Sequence, residues 1–105
     1  MITPKQRAAL RAEAHHVQPT VHLGQQGMTP TLLQTLDDML RTRELVKIAV
    51  SRNAELGARD AADALARATD ADVVQVIGRK VTLYRENPAL EKPAGEPPPW
   101  RMARE

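Results

Sequence analysis

Short segments with helical periodicity alternate along this chain with still shorter segments with strand periodicity. The order from the N-terminus is helix, strand, helix, strand, helix, strand, strand, and it ends roughly 85 residues into the chain. Such interleaving places helices against a sheet rather than in a separate bundle. A chain of 105 residues has the size of one ordinary domain. The pattern therefore predicts a compact single α/β domain with helices packed on one sheet.

Two of the three predicted helices begin in the same way. Thr3-Pro4 and Thr29-Pro30 each combine a hydroxyl that can cap a helix with a proline suited to the first helical position. The first helix is rich in alanine and is expected to stop before Pro19, because proline cannot continue it. The second helix carries a leucine stripe at helical spacing.

The third helix is expected to cover residues 54–69, with Ser51 or Asn53 as its cap. Its apolar side would include Leu56. On the second helix, Asp37 and Asp38 are expected to face solvent, because the leucine stripe lies on the other side.

Four segments alternate as strands do, and the last two are separated by Gly78-Arg79, a short link typical of a hairpin. The predicted strands are 20–23, 45–50, 72–77 and 80–85.

The composition changes near the C-terminus, where five of the eight prolines fall within residues 88–99. No periodicity remains there. We therefore predict a folded domain over residues 1–86 and a Pro-rich flexible tail over residues 87–105.

Charge and composition exclude several classes of protein. The chain has no cysteine, so disulfides and thiolate metal sites are excluded. It has no apolar run long enough for a membrane span and no signal-peptide pattern, so we expect a cytoplasmic protein that does not bind membranes. The net charge is only +2, but basic segments at residues 1–35 and 73–92 flank an acidic middle and could form one basic face.

Gly24-Gln25-Gln26-Gly27 connects an apolar strand to the helix that opens with Thr29-Pro30. Glycines allow a tight turn and a close neighbour, and a helix N-terminus offers free N–H groups and a positive dipole. Together these features suit a backbone phosphate. The alternative is a plain tight turn, which the loop alone does not exclude.

Four basic residues are candidates for phosphate contacts: Lys5, Arg7 and Arg11 on the first helix, and Lys47 in the second strand. Lys47 stands among apolar residues, so its charge must reach an open face, an edge or a partner. The alternative for all four is a solvated side chain. Arg79 and Lys80 are interpreted as turn residues, with phosphate contact as the alternative.

Several ordered motifs of this chain occur at the spacing of a known family; they are residues 3–10, 14–16, 19, 21, 23–27, 29, 44–48, 74–78 and 83–85. Together they resemble the CRM domain (chloroplast RNA splicing and ribosome maturation), in particular its small bacterial YhbY-like members. The resemblance implies a four-stranded mixed sheet, RNA binding through a GxxG loop near a basic surface, and association with the large ribosomal subunit or its precursor. Many members carry a basic residue inside the loop, where this chain has two glutamines.

Other functions find less support in the residues. His15, His16 and His22 are not spaced as metal ligands, and no nucleophile or acid pair has a catalytic setting. We therefore expect no enzyme activity, cofactor, metal or small-molecule substrate, and a monomer. The two aromatic residues, Tyr84 and Trp100, are too few for base stacking, which favours structured RNA. The alternative function is a protein-interaction module that docks a ribosomal or assembly protein.

Overall fold

The computed structural model of the chain describes residues 2–87. Three helices and four strands follow one another in the predicted order, which confirms the α/β class and the α-β-α-β-α-β-β arrangement. Their bounds are α1 Pro4–Ala14, β1 Pro19–Leu23, α2 Pro30–Arg43, β2 Leu45–Val50, α3 Ala58–Thr69, β3 Asp72–Ile77 and β4 Lys80–Tyr84.

The four strands form one sheet in the order β1-β2-β4-β3. β1 runs parallel to β2, and α2 makes the connection between them. β4 pairs antiparallel with both β2 and β3. The sheet is therefore mixed, as the family resemblance implies, and β1 and β3 are its edges.

The sheet is covered by helices on both faces. Val46 and Ile48 of β2 share one buried cluster with residues of α2 and α3, such as Leu36 and Leu65. Leu45 points to the other face, because side chains alternate along a strand, and there it joins a second cluster that includes Leu10 of α1, Val74 and Tyr84. As a result, residues 81–84 of the inner strand β4 are all buried.

Both helices that open with Thr-Pro start where the sequence predicts. In α1 the backbone N–H of Gln6 donates to the Thr3 hydroxyl, and the Thr3 N–H donates to the Gln6 side-chain oxygen, each at 3.0 Å. This reciprocal pair is a capping box. In α2 the Leu32 N–H donates to the Thr29 hydroxyl at 3.1 Å.

The expected start of α3 is wrong. The helix begins at Ala58 after Gly57, which provides no side-chain cap. Ser51 instead closes a turn directly after β2, where it accepts from the backbone N–H groups of Asn53 and Ala54, each at 3.1 Å. Leu56 consequently lies before the helix and is 38% exposed.

The side chain of Asp37 is 40% exposed, in line with the expected solvent face, but Asp37 also has a partner that the sequence does not indicate. Arg85 donates to the Asp37 carboxylate at 2.8 Å, to the Asp37 carbonyl at 3.1 Å and to the Thr69 carbonyl at 2.7 Å. Close by, the backbone N–H of Asn87 donates to the Glu44 carboxylate at 2.7 Å. We call these five residues the Arg85 cluster. A pattern within α2 cannot reveal a partner that lies 48 residues further along the chain.

The predicted boundary between residues 86 and 87 stays a prediction. Asn87 contacts the Arg85 cluster, and residues 88–105, which include Trp100, lie outside the described residues. None of the helices within residues 2–87 is long and apolar enough to cross a membrane.

Candidate functional site

Three loops meet at one end of the sheet. β1 and β2 are parallel and therefore end on the same side, and the β3–β4 hairpin turns there as well because β4 is antiparallel to β2. The Ser51 N–H donates to the Leu23 carbonyl at 2.8 Å, and the Val50 N–H donates to the Arg79 carbonyl at 2.7 Å. These bonds hold together the loops that follow β1, β2 and β3. We call the three loops, residues 24–29, 51–57 and 78–79, the loop end.

The Gly24–Gly27 segment forms a tight turn. The Gly27 N–H donates to the Gly24 carbonyl at 3.0 Å, and the Thr29 N–H donates to the Gly27 carbonyl at 3.0 Å. Gly27 adopts φ +73°, a left-handed conformation that side chains other than glycine disfavour. Gln25 and Gln26 are exposed at the tip of the turn. The predicted GxxG loop between the first strand and the second helix is thus present.

The two glycines of this turn have different reasons to be there. Gly27 is required by its positive φ. Gly24 lies outside the positive-φ region, and a Cβ built on it would meet nothing within 4 Å. The fold alone would therefore accept alanine at this position. What glycine adds at Gly24 is bare backbone that a ligand can approach closely.

The surface next to the turn is lined by hydroxyl, amide and imidazole side chains. A shallow depression runs between β1 and the start of α2, past the turn, and its polar side chains are the hydroxyls of Thr20, Thr29, Thr31 and Thr35 together with His22, Gln25 and Gln26. Among residues 2–87 no carboxylate lines it, and the first turn of α2 has no acidic residue. The positive end of the α2 dipole is therefore not neutralised by its own helix.

Two of the predicted basic residues are tied into the fold. The Lys47 ammonium donates to the Ala14 carbonyl at 2.7 Å, at the C-terminal end of α1, where a positive charge is favourable. Arg7 donates to the Val73 carbonyl and, at 3.4 Å, to the Val74 carbonyl of β3. Both side chains thus hold α1 against the sheet.

The other two predicted basic residues are exposed but differ in place. Arg11 borders a groove along β3, together with Arg7 and Arg59. Lys5 belongs to the first turn of α1, whose neighbouring residue Gln6 lies beside Asp72 and Tyr84. That is the end of the sheet opposite to the loop end. The structure therefore does not bring Lys5 together with the GQQG turn.

Three further basic residues lie at or beside the loop end, namely Arg52, Arg79 and Lys80, all exposed. Each belongs to a loop or hairpin that is distant from the GQQG turn in sequence. Only the strand order brings them to the same end, so no local pattern could have indicated it.

Metal binding has no structural counterpart within the part of the chain that the structure describes. No group of three or more His, Asp or Glu side chains is placed to hold an ion among residues 2–87.

Comparisons with known proteins identify the family. The sequence model of the CRS1 / YhbY (CRM) domain matches residues 2–85. The chain belongs to the CRM-domain family. The match spans every helix and strand described above. It includes the GQQG turn and all residues of the Arg85 cluster except Asn87.

Two relatives with this domain are named as RNA-binding proteins. The chain is 36% identical to Probable RNA-binding protein YqeI of Bacillus subtilis, over 83% of this chain and 91% of that protein. It is 33% identical to Probable RNA-binding protein MJ0652 of Methanocaldococcus jannaschii, over 99% of this chain and 78% of that protein. Neither name refers to an enzymatic reaction.

A solved structure agrees with the fold. The solution structure of the Staphylococcus aureus hypothetical protein SAV1595, described as a candidate RNA-binding protein, superposes with a TM-score of 0.70. It is 35% identical in sequence and covers 89% of this chain and 100% of its own.

Proposed function

We propose that this CRM-domain protein binds structured RNA through the RNA backbone and that the GQQG turn is the centre of the contact. The observation that carries the proposal is the open backbone at Gly24, where an added Cβ would meet nothing within 4 Å. It lies beside an α2 N-terminus without acidic residues, and such a terminus attracts a phosphate. The names of the relatives support RNA as the ligand.

The scarcity of aromatic residues supports contact with backbone rather than with bases. Within the described residues the one aromatic side chain is Tyr84, and it is 3% exposed in the core between α1 and the sheet. A stacking platform of the kind that reads single-stranded RNA therefore has no counterpart among residues 2–87. Phosphate and sugar contacts position a protein on folded RNA without reading its sequence.

The proposal also includes a cellular setting. We assign the protein to the cytoplasm and to the precursor of the large ribosomal subunit during its assembly. The resemblance to single-domain bacterial CRM proteins supports this assignment. Of the four basic residues expected to contact phosphate, Arg11 would add a contact along the β3 groove, and Arg7 and Lys47 hold α1 in place. Lys5, at the opposite end of the sheet from the turn, could reach only a more distant part of the RNA.

The proposal is tested by fluorescence anisotropy with structured fragments of large-subunit rRNA over a series of salt concentrations. The variant Gln25→Asp/Gln26→Asp keeps both glycines and adds two negative charges at the tip of the turn. We expect about tenfold weaker binding or more, because the carboxylates repel phosphate. Wild-type affinity should fall steeply as salt rises, since phosphate binding releases counterions.

A matched control separates a local effect from a change in net charge. Gln18→Asp/Ala68→Asp adds the same two charges at exposed positions outside the loop end and should bind within about twofold of wild type. If the loop variant and this control bind alike, the turn is not the contact. If the wild type binds none of the fragments, docking to a ribosomal or assembly protein becomes the better explanation.

A further inference from the structure

The segment proposed to contact phosphate carries no formal charge. From Ala14 through Leu36, which includes β1, the GQQG turn and the first half of α2, the chain contains no Asp, Glu, Lys or Arg. Helix-terminal N–H groups can orient a phosphate, but affinity for RNA comes mainly from cationic side chains that release counterions. The positive charge near the turn must therefore come from other elements.

The sheet brings cationic residues of the other two loops and of the start of β4 to the end that holds the turn. Ser51 is bonded to Leu23, the residue before the turn, and Arg52 follows it directly. Ala49 of β2 is the register partner of His22 on one side and of Lys80 on the other. Lys80 therefore lies two strand spacings, about 10 Å, from β1. Arg79, next to it, is bonded through its carbonyl to Val50.

These three side chains are also available to a ligand. Arg52, Arg79 and Lys80 are exposed, and within residues 2–87 none of them forms an ion pair or a side-chain hydrogen bond. The only acidic residue in the three loops is Glu55. By contrast, Arg41 and Arg85 are each paired with aspartates. Arg52, Arg79 and Lys80 thus outnumber the one acidic residue of the loops, and none of the three is paired with a carboxylate within residues 2–87.

We propose that Arg52, Arg79 and Lys80 supply the charge that the GQQG turn lacks and contact the same RNA backbone as the turn. This inference rests on the proposed function and deepens it by naming the cationic part of the site. The turn and the α2 N-terminus would orient one phosphate, while the three cations attract neighbouring phosphates of the same strand or helix.

The test compares two double variants that remove the same charge from opposite ends of the sheet. Arg79→Gln/Lys80→Gln removes two charges at the hairpin, and Arg43→Gln/Arg67→Gln removes two exposed charges near the ends of α2 and α3. With rRNA fragments, we expect the hairpin variant to bind about tenfold more weakly and to lower the salt slope by about 2. The control should keep nearly the wild-type slope.

Two further variants sharpen the result. Arg52→Gln should lower the salt slope by about 1, as expected for one phosphate contact. Adding Gln26→Lys to the hairpin variant should restore much of its affinity, because the charge returns to the same end of the sheet. Unfolding curves confirm that each variant is folded, which these exposed positions should permit.

The outcomes distinguish this inference from the function beneath it. If the wild type binds RNA and Gln25→Asp/Gln26→Asp weakens binding, but the hairpin variant matches its control, the cationic contact is wrong and the proposed function stands. If the wild type does not bind RNA at all, both are wrong. The inference is supported if the hairpin variant binds RNA more weakly than Arg43→Gln/Arg67→Gln and if adding Gln26→Lys restores its affinity.

Discussion

Arg85 at one end of the sheet and the three cations at the loop end are used in opposite ways. At the end that holds the Arg85 cluster, the guanidinium of Arg85 is bonded to Asp37 and to two carbonyls, and its side chain is only 23% exposed. At the loop end, Arg52, Arg79 and Lys80 are exposed, and the described residues include no partner for their charges. Charges that neutralise one another join elements of the fold, whereas charges left open can serve a ligand.

The largest expected effect is a loss of stability on removal of the Arg85 side chain. Arg85→Ala leaves the carbonyls of Thr69 and Asp37 without this donor, and a half-buried acceptor without a partner is costly. We expect the free energy of unfolding to fall by about 3 kcal/mol, measured by urea denaturation. Arg41→Ala is the control, because Arg41 pairs with Asp37 and Asp38 but is 55% exposed, and exposed pairs contribute little. Equal losses of unfolding free energy in Arg85→Ala and Arg41→Ala would contradict the view that Arg85 joins elements of the fold and Arg41 does not.

A smaller effect separates the two glycines of the loop end. Gly27→Ala forces a side chain into φ +73° and should cost about 1–2 kcal/mol of unfolding free energy. Gly24→Ala should leave stability nearly unchanged, because its Cβ meets no atom within 4 Å. In the RNA titration Gly24→Ala should nevertheless weaken binding. Normal RNA binding by Gly24→Ala would argue against close approach of a phosphate.

Lys47 lies between the two ends and tests whether one residue can serve both purposes. Lys47→Met keeps the aliphatic stem and removes the donor to the Ala14 carbonyl. We expect a loss of about 1 kcal/mol and faster amide hydrogen exchange in the last turn of α1. Lys5→Met, a control at an exposed position of α1, should change neither the stability nor the hydrogen exchange of α1. Weaker RNA binding by Lys47→Met without faster exchange in α1 would place Lys47 in the interface instead.

The smallest expected effect concerns stability at the loop end. Arg79→Gln/Lys80→Gln should leave the denaturation midpoint unchanged within error, because exposed side chains without partners contribute little to folding. A clear loss of stability would mean that the hairpin charges serve the fold. The distinction between the two ends of the sheet would then no longer hold.

Local patterns predicted the elements well. The Thr-Pro starts of α1 and α2 and the alternation in β2 depend on residues close in sequence, and the structure confirms them. The start of α3 was missed because Ser51, a good helix cap by type, is used in a turn after β2. A capping residue shows where a helix can begin but not whether the chain is free to begin it there.

The candidate site was predicted only in part for a related reason. The GQQG turn is a continuous motif, so the sequence contains it whole. Lys5, Arg7, Arg11 and Lys47 are candidates by their charge and their predicted helix or strand, which do not fix their distance from the turn, and Lys5 lies at the opposite end from it. Arg52 and Lys80 come near the turn through the pairing of β1 with β2 and of β2 with β4. Sequence reasoning that predicts strands without their order cannot place them.

The bond from Arg7 to β3 has a consequence for self-association. β3 is an edge strand, and edge strands present unpaired backbone groups to which another chain can add. Its register is interrupted between Val73 and Gln75, and Arg7 occupies the Val73 and Val74 carbonyls at that irregularity. A bulge and a bound cation both discourage a second copy from extending the sheet. Arg7 thus helps to prevent another strand from pairing with β3, so that the sheet stops at four strands.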